Sequence, residues 1–177
     1  MSNHLTNRPK KNEYNPYYET YIGLVPTENI LEHLEITKLA TGAYLQSIPA
    51  DKWDFRYAEG KWSLKESWIH VLDTERIFAY RALRISRGDA TPLSGFDQNE
   101  YVPFYNANHR TAASIIEEYE AVRMATISLL KNIDNAALRR LGTASDSPIS
   151  VRALAYMIAG HELHHLNLTR ERYGVIE

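Results

Sequence analysis

Residues 150–174 read SVRALAYMIAGHELHHLNLTRERYG, and the periodicity of this stretch decides the fold. Val151, Leu154, Ile158, His161, His165 and Leu168 recur at spacings of three and four, the interval that places side chains on one face of an α-helix. A helix is therefore expected to begin near Ser150, just after Pro148, and to end at Gly174. Its inward stripe carries two histidines in line with aliphatic core residues. A step of four residues turns about 400° and rises about 6 Å, so His161 and His165 project the same way, one turn apart. Two imidazoles so placed can grip one metal ion. The plain alternative is a pair of core or surface histidines without metal. Burial would favour the ion, because it partners ring nitrogens on both side chains at once. His164 points about 100° away from His165 and is expected to play a supporting or surface role.

The same run spells His-Glu-x-x-His from His161 to His165, the pattern of zinc metalloproteases. There the glutamate after the first histidine is the general base, and the site opens beside a sheet. No strand signal accompanies the motif here, which disfavours that reading.

A two-histidine grip needs a third ligand from another helix, and His70 is the candidate. It sits in a helix with a sharp start: Ser63-Leu64-Lys65-Glu66 fits the capping box, in which the Ser and Glu side chains satisfy free backbone donors reciprocally. This helix should run from Leu64 to about Arg87 and stop at Gly88. Its apolar side carries Leu64, Trp68, Leu72, Ala79 and Ala82, whereas His70 shares the opposite side with Glu66, Asp73, Thr74 and Ile77. Periodicity alone leaves two readings of that side, a solvated face or a polar face turned into a metal cleft. His4, His33 and His109 have no matching partner and are expected at the surface.

Two further helices complete the set. One is expected from a cap near Thr27 through ENILEHLEITKLATGAYLQSI, stopping before Pro49. The other should span about His109 to Ile133, with Ile115, Tyr119, Val122, Thr126, Leu129 and Ile133 on its inner face. The short connection at residues 51–62 carries Trp53, Phe55, Tyr57 and Trp62, enough aromatic surface to pack over one end of a bundle. The connection at residues 88–108 is long for a compact domain, which marks it as functional or folded against the body. Residues 1–26 read as an extended, tyrosine-rich arm, followed by a single domain over 27–177. The architecture is thus all-α, a four-helix bundle.

Composition narrows the function. With 177 residues, 44% hydrophobic and 24% charged, the chain suits one globular domain. No apolar run approaches the roughly 20 residues that span a bilayer, and the polar N-terminus lacks a secretory stretch. A cytoplasmic protein that neither spans nor binds a membrane is the expectation. A net charge of −2 without a long basic run gives no electrostatic support for nucleic-acid binding. There is no cysteine, so any metal must use imidazole, carboxylate or water.

Residues 51–75, DKWDFRYAEGKWSLKESWIHVLDTE, together with HELHHLNLTRERYG at residues 161–174, resemble the DinB superfamily, which includes the YfiT-like proteins. The resemblance covers about residues 27–174 in the family's helix order and implies a four-helix bundle of DinB/YfiT type. Its most specific elements are the Trp62-Ser63 helix start followed by His70, and His161 with His165 near the terminus. It implies that one histidine of the second helix and two of the fourth, here His70, His161 and His165, bind a divalent ion, commonly nickel or zinc, on a bundle that is often a homodimer. It also implies a possible thiol S-transferase, in which the metal lowers the pKa of a low-molecular-weight thiol that attacks an electrophilic small molecule. Metal-assisted hydrolysis, with Glu66, Asp73 or Glu162 as base, and a metal-binding stress protein without turnover are the alternatives.

Overall fold

The computed structural model describes residues 7–175. Four long helices form the body: α1 over Ile30–Ser47, α2 over Leu64–Ser86, α3 over Ala112–Lys131 and α4 over Val151–Glu171. Around the bundle α4 packs on α2, α2 on α3, α3 on α1, and α1 more lightly on α4. The expected four-helix bundle is therefore the fold.

Local chemistry sets the helix ends. The Ser63 hydroxyl accepts from the Glu66 backbone N–H, and the Glu66 carboxylate accepts from the Ser63 N–H at 2.7 Å, the reciprocal box anticipated from the sequence. Gly88, at φ 82°, follows α2 in the left-handed conformation that glycine adopts without steric penalty. Asn29, rather than Thr27, caps α1 through the Glu32 N–H. Helix α3 starts at Ala112 behind a Thr111 cap, which leaves His109 in an exposed 3-10 turn.

Residues 141–150 depart from an all-helical reading. Strands β1, Leu141–Ala144, and β2, Ser147–Ser150, pair antiparallel. Ser145 and Asp146 between them both have positive φ, 49° and 58°, the geometry of a tight type I′ hairpin turn. Leu93 donates its N–H to Thr143 O and accepts from Ser145 N–H, so the long connection after α2 adds to the hairpin edge. Strands this short, without the Asn-Gly or Asp-Gly signal, are poorly marked in sequence.

The N-terminal segment also differs from an extended arm. Its described part coils through 3-10 turns at Lys11–Glu13 and Pro16–Tyr18 and a helical turn at Glu19–Ile22 that packs on α4. Glu13 accepts from Ser150 at 2.8 Å and from Arg152, and Asn15 donates to Ser147. This extra layer buries α4 nearly all round from Ala153 to Glu162, well beyond the single stripe that periodicity marks.

Two apolar clusters fill the interior. One gathers Ile30, Leu34, Phe78, Leu130, Leu154 and Ile158 with arm residues, and the other gathers Leu45, Trp53, Trp68, Ile115, Tyr119 and Leu166. Between them each helix contributes buried polar side chains: Thr41 from α1, Thr74 and Glu75 from α2, Arg123 and Thr126 from α3, and His161, Glu162 and His165 from α4. The bundle thus carries a polar layer across its middle. Buried polar groups must find partners, and this layer divides into an ion cluster inside the bundle and a histidine cluster at the α2–α4 seam.

Candidate metal centre

The seam brings together the three histidines singled out by sequence. His70, His161 and His165 are all buried, and each offers a ring nitrogen such that these atoms lie within 4.8 Å of one another. Nε2 of His70 is 3.0 Å from Nε2 of His161. The ring centroids of His161 and His165 are 4.6 Å apart, and that of His70 is 4.9 and 5.1 Å from theirs. The polar side of α2 is therefore turned inward on α4 rather than toward solvent.

The outward ring nitrogens of His70 and His165 are occupied. Ser67 Oγ lies 2.9 Å from Nδ1 of His165, and Thr74 Oγ1 lies 3.3 Å from Nδ1 of His70. A hydroxyl that accepts from Nδ1–H leaves Nε2 with the free lone pair, the arrangement that orients a histidine toward a metal. Ser67 and Thr74 stand three residues before and four after His70, on its own helix face. Periodicity already places Thr74 there. Ser67 is the residue that the sequence reading lacked, although the same spacing marks it.

Burial holds these imidazoles neutral. It pushes His70 down to about 4, with the nearby His164 adding to the shift, and it holds His161 and His165 well below their ordinary value, reinforced by the neighbouring imidazoles. Neutral imidazole is the form that ligates a cation. His164 is half-buried, lowered by burial, and lies beside the triad on the wall of a cavity.

None of the three carboxylates weighed as a general base faces the triad. Glu162 is 1% exposed; it turns into the bundle, where it pairs with Arg123 and accepts from Thr41 and from Tyr119. The glutamate of the His-Glu-x-x-His pattern is thus a partner of a buried arginine, and the metalloprotease reading fails on geometry. Glu66 is held by Arg56 and by the Ser63 N–H. Asp73 pairs with Arg76, which also bridges to Glu118. His33 is not a plain surface residue: it is half-buried and lowered by burial against an opposing pull from Glu162. His109 is exposed, and His4 lies outside the described residues.

Two cavities flank the triad. The larger, about 300 Å³, is lined by Lys61, Trp62, Ser67, His164, His165 and Asn99 among others, and the smaller, about 110 Å³, by Tyr18, Thr74, Phe78, Phe96 and His161 among others. Tyr21, His70 and Gln98 line both. The Trp62 ring lies on His70 with centroids 5.0 Å apart, so the aromatic connection before α2 does cover the site. From the arm, Tyr21 meets His161 and His164 edge-on at 5.3 and 5.4 Å.

Comparison with known proteins agrees with the four-helix bundle. A family model described as the DinB superfamily matches residues 33–168. The chain belongs to the DinB superfamily. No curated protein matches its sequence. Among solved structures, this DinB-superfamily chain is similar to YfiT from Bacillus subtilis, described as "a probable metal-dependent hydrolase with an unusual four-helix bundle topology", with a TM-score of 0.67 at 14% identity over 94% of this chain and 96% of that one. It is also similar to a mycothiol-dependent maleylpyruvate isomerase, with a TM-score of 0.66 at 12% identity over 83% of this chain and 62% of that one. At such identities the likeness shows a shared fold. Among the described residues of this DinB-superfamily protein, no helix is long and apolar enough to cross a membrane.

Proposed function

We propose that this protein binds a divalent ion, nickel or zinc, through His70, His161 and His165 and acts in the cytoplasm as a metal-dependent thiol S-transferase of a detoxifying or stress-response kind. The observation that carries the reading is the convergence of three buried, neutral imidazoles beside a cavity of about 300 Å³. The donor set fits such an ion: three nitrogens, with two rings braced on their far side by hydroxyls, leave room for a further ligand. Bound there, the ion would supply Lewis acidity that lowers the pKa of a thiol or water.

The chain's own residues supply the rest. The Trp62 ring packs against His70 and the Tyr21 ring against His161. Lys61, Gln98 and Asn99 on the cavity wall offer donors to the polar body of a low-molecular-weight thiol. His164, on the same wall, is placed to accept a proton. The chain has no cysteine of its own to compete. The description of the maleylpyruvate isomerase as mycothiol-dependent adds support for a small-thiol partner.

A second reading, hydrolysis, draws on the description of YfiT as a probable metal-dependent hydrolase. With Glu66, Asp73 and Glu162 engaged elsewhere, His164 would have to serve as its base. The readings part when chelated protein, metal-loaded protein, and metal-loaded protein with several biological thiols are each offered an electrophilic dye. Turnover in the third sample alone, lost in His161→Ala, supports transfer. Turnover without thiol supports hydrolysis, and none at all would leave a metal-binding stress protein.

The same proposal includes a homodimer. Ile36 and Leu39 on α1 and Met124 on α3 are exposed, apolar surface that a second copy would cover. Light scattering that returned the mass of a single chain at micromolar concentration would refute it.

A further inference from the structure

We propose that Tyr21, carried by the N-terminal arm, is a specificity-determining wall that divides the space beside the histidine triad into two chambers and so keeps a thiol's body out of the smaller one. This inference rests on the metal–thiol reading above. Among the described residues, Tyr21, His70 and Gln98 alone line both cavities. His70 belongs to the triad, so Tyr21 and Gln98 form the partition. The far walls of the two chambers differ: Lys61, Asn99, Tyr57 and Tyr173 face the larger one, whereas Phe78 and Phe96 face the smaller. At about 300 Å³ the larger reaches the lower end of ligand-sized pockets, and the smaller, about 110 Å³, falls well short of it.

Tyr21 is held from both directions. Its ring sits edge-on against His161 and His164. Its backbone presses on α4 at Gly160, where a Cβ would come within 2.1 Å of the Tyr21 carbonyl oxygen. A glycine in a helix interior is less stable than alanine, and here it makes room for the arm. The arm is tied to the body by Glu13, which accepts from Arg152 and Ser150, and is folded on itself by Arg8, which donates to Ile22 O at 2.8 Å. The region matched by the family model begins at residue 33, so the wall comes from a segment before it.

The test compares 2-mercaptoethanol with 2-phenylethanethiol on cobalt-loaded full-length protein. Quenching of Trp62 fluorescence reports binding, with Trp62→Phe as the blank, and sulfur-to-cobalt absorption reports whether sulfur reaches the ion. The affinity ratio of the aromatic to the small thiol should rise at least tenfold in Tyr21→Ala, as the phenyl tail gains Phe78 and Phe96. Tyr21→Phe, which keeps the ring, should match wild type. Gly160→Ala, which displaces the arm without removing the tyrosine, should shift the ratio toward that of Tyr21→Ala. A ratio within twofold of wild type in Tyr21→Ala, or an equal rise in Tyr21→Phe, overturns the partition even if the cobalt band is normal. A missing band with the ratio shifted as expected would sink the metal–thiol reading and leave the wall standing.

Discussion

The hydroxyl of Ser67 on α2 lies 2.9 Å from Nδ1 of His165 on α4, a contact that joins the two helices of the histidine seam through a ring nitrogen no metal needs. By fixing which nitrogen carries the proton, it aims Nε2 at the triad. Outer partners of this kind typically change metal affinity by about 10–100-fold when removed. Ser67→Ala should therefore weaken zinc binding by at least tenfold, measured by competition with a chromophoric chelator. Thr74→Ala, which removes a longer contact of 3.3 Å, should have the smaller effect. Unchanged affinity in Ser67→Ala would show that the bond does not orient a ligand.

The ligands themselves should separate cleanly from their neighbour. His161→Ala and His165→Ala each remove one arm of the one-turn grip and should abolish stoichiometric metal by elemental analysis. His70→Ala should lower occupancy strongly, because the remaining pair comes from one helix only. His164→Ala should keep the metal, since its ring lies on the cavity wall outside the group of converging nitrogens. Full occupancy in either α4 variant would remove the triad as the site.

Helix positions, the capping box and the one-turn pairing of His161 with His165 were legible because they follow from local spacing. The facing of His70 was ambiguous: Asp73 and Thr74 beside it look like a solvated surface, and only packing on α4 shows that this face is buried. The ion partner of Glu162 was invisible for the opposite reason. Arg123 lies fully buried on α3, and an arginine among apolar residues ordinarily reads as a surface position. The role of the arm was equally hidden, because its docking depends on Gly160, whose purpose appears only when Tyr21 is placed over it.

Acid should loosen the arm before the bundle. Burial would raise the Glu13 pKa, but hydrogen bonds from Arg152, Ser150 and the Lys10 N–H outweigh it and hold the carboxyl below its usual 4.5. A group depressed in the folded state contributes stability above its unfolded pKa and loses it as pH falls through the folded one. Hydrogen-exchange protection of residues 7–26 should thus be constant near neutrality and decline below about pH 4.5. In Glu13→Gln protection should already be low at neutral pH and nearly independent of acid. Equal acid sensitivity in that variant would place the switch elsewhere.

The last prediction concerns the ion cluster inside the bundle. Arg123 is fully buried and paired with Glu75 at 2.8 Å and with Glu162, and burial works against its charge while the two carboxylates raise its pKa well above the ordinary value. Removing one partner of a buried pair leaves an uncompensated charge, a loss of about 3–5 kcal/mol, whereas replacing the whole cluster by well-packed apolar residues of similar volume is often nearly neutral. Arg123→Met should therefore be severely destabilised in urea. The triple variant with Glu75→Met and Glu162→Gln, whose amide oxygen still accepts from Thr41 and Tyr119, should recover most of that loss. The two glutamates adjoin Thr74 and His161 in sequence, so the comparison also asks what the cluster is for. If the triple variant regains stability but binds metal more weakly than wild type, the cluster sets the rotation of α2 and α4 that aligns the histidines. If stability and metal affinity return together, its role is confined to packing. A single Arg123→Met variant as stable as wild type would show that the carboxylates find other partners or take up protons.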